Sequence, residues 1–144
     1  MAELSPRDAK SRVVRFNDEV FNGRNYDLLD ELMTDDIVVH ETSLPDEIKG
    51  REAFKAYLQL FHESFSDLKA TIEDQIVEGD KVVTRYTYNG THDGEFMGMP
   101  ATNRTAKISG IVINRMEGDK VAETWASADF LGLMQQLELI PSQE

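Results

Sequence analysis

The chain has no cysteine, only three histidines, four prolines and one tryptophan in 144 residues, and its 15 lysines and arginines face 27 aspartates and glutamates. Each scarcity removes a class of protein. Without cysteine there is no disulfide framework, no thiolate nucleophile and no zinc-thiolate site. The net charge of -12 at pH 7, with a pI near 4.6, repels phosphate backbones and anionic bilayers. No Lys/Arg run offers a local exception, so neither nucleic acid nor membrane is an expected partner. No stretch approaches the roughly 18 apolar residues of a membrane span, and the segment Met1 to Pro6 carries an acid where a signal peptide is basic; a cytoplasmic location is expected. Glycine-rich nucleotide loops, HExxH, EF-hand and GxSxG patterns are all missing, so a nucleotide cofactor held by a standard phosphate loop is not expected.

What is present is a chain 40 % hydrophobic and 29 % charged, long enough for one domain over residues 1–144 with a core of its own. Ser5-Pro6 reads as a helix start. Ala9, Val13, Phe16, Val20 and Phe21 form an apolar stripe that Asn22-Gly23 ends. Asn25 heads a second helix carrying Leu28, Leu29, Leu32 and Met33, and Ile37 to His40 forms a short strand. A third helix follows Gly50, with Phe54, Tyr57, Leu58 and Phe61 on one stripe and an end near Ser64. From Leu68 the period becomes that of strands: to Val77, then 82–88, 105–116 and 121–128, with turns at 78–81 and 117–120. A last helix runs from about Phe130 to Leu139. This order predicts an α+β fold, a curved antiparallel sheet wrapped into a cone against helices, with room for a cavity between them.

Candidate chemistry follows from parity. A turn centred on Gly118-Asp119 pairs Asn114 with Glu123, Val112 with Trp125 and Gly110 with Ser127, which puts Asn114, Glu123, Trp125, Ser127 and Asp129 on one face. Asp129, between a strand and the helix starting at Phe130, is either that helix's N-cap or a carboxylate at a cavity mouth. Arg85, in the apolar middle strand, either pairs with a carboxylate such as Glu123 or Asp129 or orients a substrate, while Tyr86 and Tyr88 take the other face against the helices. His40 ends its strand, His62 reads as a surface histidine late in the third helix, and His92 lies in the wet-looking run Asn89 to Glu95. No ligand spacing unites His40, His92 and Asp129, so no metal is expected. Met97 and Met99 either soften a pocket or fill core, and the glycines at 90, 94, 98 and 110 serve turns, bulges and curvature.

The runs Gly90 to Arg104, Gly110 to Trp125 and Asp129 to Leu137 resemble the SnoaL-like polyketide cyclases of the nuclear-transport-factor-2-like (NTF2-like) superfamily, and the N-terminal helices and the segment around His40 fit as well. The resemblance implies a cone-shaped α+β barrel with a deep apolar pocket, assembled as a homodimer or homotetramer, and an enzyme of lyase or isomerase type. Its reaction would be intramolecular aldol condensation of a small apolar carbonyl substrate without metal or organic cofactor. It also implies Asp129 as acid/base, with Asn114, His40 and His92 as candidates to assist the substrate oxygen. Trp125, Met97, Met99 and Phe54 would be pocket walls, and Arg85 and Glu123 would be polar groups of the pocket. Asn114 stands where the ring-closing members carry a histidine, and an amide donates a hydrogen bond without titrating near neutrality. The alternatives of other classes are a hydroxylase or epoxide hydrolase in which an Asp and Arg85 act with water, and a non-catalytic binding protein for small molecules.

Overall fold

The computed structural model describes residues 4–141. Ser5 caps α1 (Pro6–Arg15), its Oγ accepting the Asp8 N–H at 3.1 Å, and Ala9 and Val13 bury the stripe. The helix then widens into a π-helical segment, Phe16–Asn22, instead of continuing regularly. The wider turn serves packing, because Asn17 and Asn22, five residues apart, both reach Ala70: their amide nitrogens donate to its carbonyl at 3.1 and 2.9 Å, and Asn22 Oδ1 accepts its N–H at 2.8 Å. The Asn22 side chain thus stands in for the strand that Ala70 lacks at the sheet edge.

The expected second helix is reduced to a 3-10 turn, Tyr26–Leu28, and one turn of α2 (Leu29–Leu32); Asn25 makes no side-chain cap. Extended chain takes over at β1 (Met33–Glu41), four residues earlier than the β-branched run predicts, because Met33 already pairs with Val121. A two-residue strand that the sequence did not announce, β2 (Ile48–Lys49), precedes α3 (Arg51–Ser64). Then come β3 (Lys69–Glu78), β4 (Lys81–Thr91), β5 (Thr105–Glu117), β6 (Lys120–Ala128) and α4 (Phe130–Gln136). Gly79 and Gly118, at φ 60° and 61°, make the two tight turns in the left-handed region expected of them.

The strands form one curved, unclosed six-stranded sheet in the order β2-β1-β6-β5-β4-β3. It is mixed rather than wholly antiparallel, since β1 runs parallel to β6. Helices cover its inner face. At one end Val13, Val20, Leu29, Leu32, Ile37 and Val82 form a buried core; at the other Phe65, Phe96, Leu133 and Leu137 form a second. Among the described residues no helix is long and apolar enough to cross a membrane.

Two bulges decide which side chains face inward. Next to the turn, Glu117 pairs with Lys120 and Met116 with Val121, but Ala122 has no partner, and from there Arg115 pairs with Glu123, Asn114 with Thr124 and Ile113 with Trp125. The extra residue reverses the expected parity of β6: Thr124, Ala126 and Ala128 share the inner face with Asn114, Val112 and Gly110, while Glu123, Trp125 and Ser127 turn outward. A second bulge leaves Glu73 unpaired and sets Asp74 opposite Arg85.

Candidate functional site: a cavity between sheet and helices

Inner-face residues of β1, β4, β5 and β6 meet the N-terminal helix, α3 and α4 around a cavity of about 170 Å³. Its walls are mainly aromatic and aliphatic, with Phe16 and Phe54 at one end and Phe61, Phe65 and Phe130 at the other. Gly110 is needed at this wall, because a Cβ there would lie 2.8 Å from the Tyr88 ring. The polar groups are few: Asn17 and Tyr57 come from helices, and Glu41, Tyr86, Tyr88, Asn89, Asn114, Thr124 and Ser127 from strands. No Lys, Arg or His is among the described lining residues, and Glu41 is the one carboxylate among them.

Asn114 and Thr124 are cross-strand neighbours, and the Thr124 hydroxyl donates to Asn114 Oδ1 at 2.7 Å. That bond fixes the amide and leaves its nitrogen to donate into the cavity. Burial pushes the Tyr86 phenol up to about 12 and drives Tyr57 and Tyr88 higher, with the Glu41 carboxylate adding to both shifts. All three phenols are therefore protonated donors across the physiological range. Glu41 ends the inner row Ile37, Val39, Glu41 of β1; its oxygens accept the Ser43 N–H at 3.2 Å and the Ser43 hydroxyl.

The expected site residues divide. Asn114 and Phe54 line the cavity. Asp129 is exposed and caps α4, Oδ1 accepting the Gly132 N–H at 2.8 Å, with its carboxylate over the bare Cα of Gly132; its neighbours Ala128 and Phe130 line the cavity. His40, Glu123 and Trp125 lie together on the outer face. There His40 Nε2 bonds Glu123 Oε2 at 2.7 Å, Arg115 Nε reaches Glu123 Oε1 at 3.3 Å, and the His40 ring stacks on Trp125 at 5.5 Å. The His40 bond, then Arg115, holds the Glu123 carboxyl below its usual range against the opposing effect of burial. His40 and Trp125 edge a wider, more open hollow with Leu44, Pro45, Ile111 and Ile113, which Glu41 borders as well as the inner cavity.

Arg85 also faces outward, gripping Asp74 Oδ2 at 2.9 and 2.7 Å rather than Glu123 or Asp129. The β3 bulge supplies that partner. His92 is fully buried instead of wet: Nδ1 accepts the Thr102 N–H at 3.3 Å, which leaves the proton on Nε2. Among the described residues that nitrogen has no partner, and the ring packs on Phe65 and Phe96. His62 is buried as well, with Nδ1 bonded to the Tyr26 hydroxyl, and burial first, then Arg24, lowers its pKa to about 4. Met97 is 65 % exposed at a turn and Met99 packs in the second core. Among the described residues no three His, Asp or Glu gather as a metal-binding group.

Sequence reasoning missed Glu41, Asn17, Tyr57 and Thr124 as cavity polar groups. Two carried a visible signal: Glu41 has the parity of Ile37 and Val39, and Asn17 lies four residues after Val13 and three before Val20 on the helix stripe. A carboxylate or amide on an apolar stripe must be bonded or line a space.

A curved α+β sheet enclosing an apolar cavity under N-terminal helices defines the class as the SnoaL and NTF2-like folds, and solved structures agree. A structure described as a SnoaL-like polyketide cyclase from Jannaschia sp. CCS1 matches with TM-score 0.87 and 25 % identity over 98 % of this chain and 100 % of its own. TsrD from Streptomyces laurentii matches at 0.85 and 28 % over 96 % and 100 %, and IdmH from Streptomyces antibioticus, described as a polyketide cyclase, at 0.79 and 28 % over 90 % and 98 %. No curated protein matches the sequence. The family model of the SnoaL-like polyketide cyclases matches residues 11–137, and the chain belongs to that family.

Proposed function

We propose that the protein is a cyclase-type enzyme that closes a ring by intramolecular aldol condensation, or performs a related proton transfer, on a small apolar carbonyl compound. The observation that carries this reading is the combination of apolar walls with neutral donors in one cavity. An enolate formed from a ketone spreads its charge onto oxygen, and the Asn114 amide and protonated phenols are suited to hold that oxygen where water competes poorly. The walls keep the nucleophilic carbon folded against the second carbonyl, which is the proximity a ring closure needs.

Asp129 is the acid/base that family membership suggests. In this reading its carboxylate exchanges the Gly132 N–H for substrate at the lip between Ala128 and Phe130. The protein works on a soluble small molecule, without a cofactor, in the cytoplasm, and assembles as a dimer or tetramer. The outer hollow, with Ile111 exposed beside Ile113 and Trp125, is where a second copy gains most apolar contact.

The test is ring closure of a 1,5-diketone, 4-(2-oxocyclohexyl)butan-2-one, followed by enone absorbance. The reading expects acceleration over buffer, and a fall of about a hundredfold in Asp129→Asn. Asparagine caps a helix as well as aspartate does, so the substitution removes the base and keeps the cap. A wild-type rate equal to buffer contradicts the reading.

A further inference from the structure

The geometry points to Glu41 as a second carboxylate acid/base, one that takes a proton from the ligand carbon lying within the cavity while Asp129 serves the lip, an assignment that rests on the carbon-acid reading above and adds a catalytic residue to it. Three observations converge. Glu41 is 7 % exposed yet lines the cavity, at the end of an inner row otherwise made of Ile37 and Val39. It is the one carboxylate among the described lining residues, with no cation there to neutralise it. Its charge reaches the Tyr57 and Tyr88 phenols, the cavity's own donors. A carboxylate kept in apolar walls without a salt bridge is an unusual expense for a merely structural group. The Ser43 N–H and hydroxyl and, at 3.4 Å, the Thr42 hydroxyl donate to its oxygens and hold it in place.

Pairing across the sheet sets the span of the site. Val39 pairs with Thr124 and Thr124 with Asn114, while Glu41 lies two residues beyond Val39. With strands about 4.8 Å apart and about 3.3 Å per residue, the two backbone positions are about 12 Å apart. Side chains reaching inward leave between them a space suited to a bicyclic ligand, with an acceptor at one end and the Asn114 donor at the other. The step balances without outside reagents. A Glu41 oxygen takes the proton from carbon alpha to a ketone, and the C–H pair becomes the enolate double bond with its oxygen held by a donor. When that carbon attacks the second carbonyl, the new alkoxide takes the proton back, and the carboxylate is regenerated.

The experiment uses 2-tetralone, an apolar bicyclic ketone, with deuterium exchange at C1 read by proton NMR and binding read by saturation transfer. The wild type accelerates exchange over buffer. Glu41→Gln lowers the exchange rate by about a hundredfold while binding stays within about threefold. Ser43→Ala strips a donor from the carboxylate, frees it toward the ligand and raises exchange, and it decides the matter if Glu41→Gln does not fold. Exchange by Glu41→Gln within about threefold of wild type, or lost exchange in folded Ser43→Ala, overturns the assignment while the carbon-acid reading stands. A wild type that does not accelerate exchange overturns that reading and the role of Glu41 with it.

Discussion

The two faces of the sheet are made by the same strands and hold different chemistry. Inside, Asn114, Thr124, Tyr86, Tyr88 and Glu41 offer neutral donors and a single carboxylate among aromatic walls. Outside, His40, Glu123 and Arg115 form a charged cluster beside Trp125, and Arg85 is tied to Asp74. The histidines show the same division: His62, inside, is held neutral by burial, whereas His40, outside, bonds a carboxylate. One unpaired residue, Ala122, sets much of this division, because it sends Glu123 and Trp125 outward and Thr124 and Ala126 inward.

Inserting one alanine between Arg115 and Met116, opposite Ala122, is the largest perturbation of that contrast. It pairs the extra residue, and the continuous alternation that results turns Arg115 and Glu123 toward the helices and away from His40; burying those charges costs several kcal/mol, roughly the whole stability of a small domain. The variant is expected to show no cooperative thermal transition by circular dichroism; a normal melt would mean that the bulge is incidental.

Acid separates the two histidines next. The unfolded chain protonates His62 at the ordinary histidine value of 6.5 and the folded chain only at about 4, so the unfolded state holds more protons between these values. The His62 contribution is complete above pH 6.5, falls as pH drops toward 4 and levels off below, amounting to about 3 kcal/mol. Urea denaturation across that window should show the loss in wild type and a flatter curve in His62→Gln.

Thr124→Val probes the inner pair. It leaves Asn114 Oδ1 buried without a donor and should cost about 1–3 kcal/mol in urea, most of it recovered in a double variant with Asn114→Leu. On the outer face, Arg85→Ala should change stability by less than about 1 kcal/mol, since the pair with Asp74 is exposed.

The α+β class, the helix starts at Ser5 and Gly50, both hairpin turns and the inward parity of β4 and β5 were legible, because each rests on local pattern: caps, glycine at positive φ and strict alternation. The placement of Glu123, Trp125 and Arg85 was not. It depends on bulges at Ala122 and Glu73, and neither residue differs in type from an ordinary strand residue. His92 and His62 were misplaced for another reason: polar sequence surroundings do not reveal that Phe65, Phe96, Phe21 and Tyr26 close over the rings. Asp129 was legible as a cap, and the structure shows that cap formed.

The most direct test of the claim that ligands enter the inner cavity is methyl NMR of Ile-, Leu- and Val-labelled protein titrated with 2-tetralone. The account predicts saturable shifts at Val39, Leu58, Ile108 and Val112, with Leu44, Ile111 and Ile113 of the outer hollow unmoved. Shifts confined to those three outer residues would contradict it.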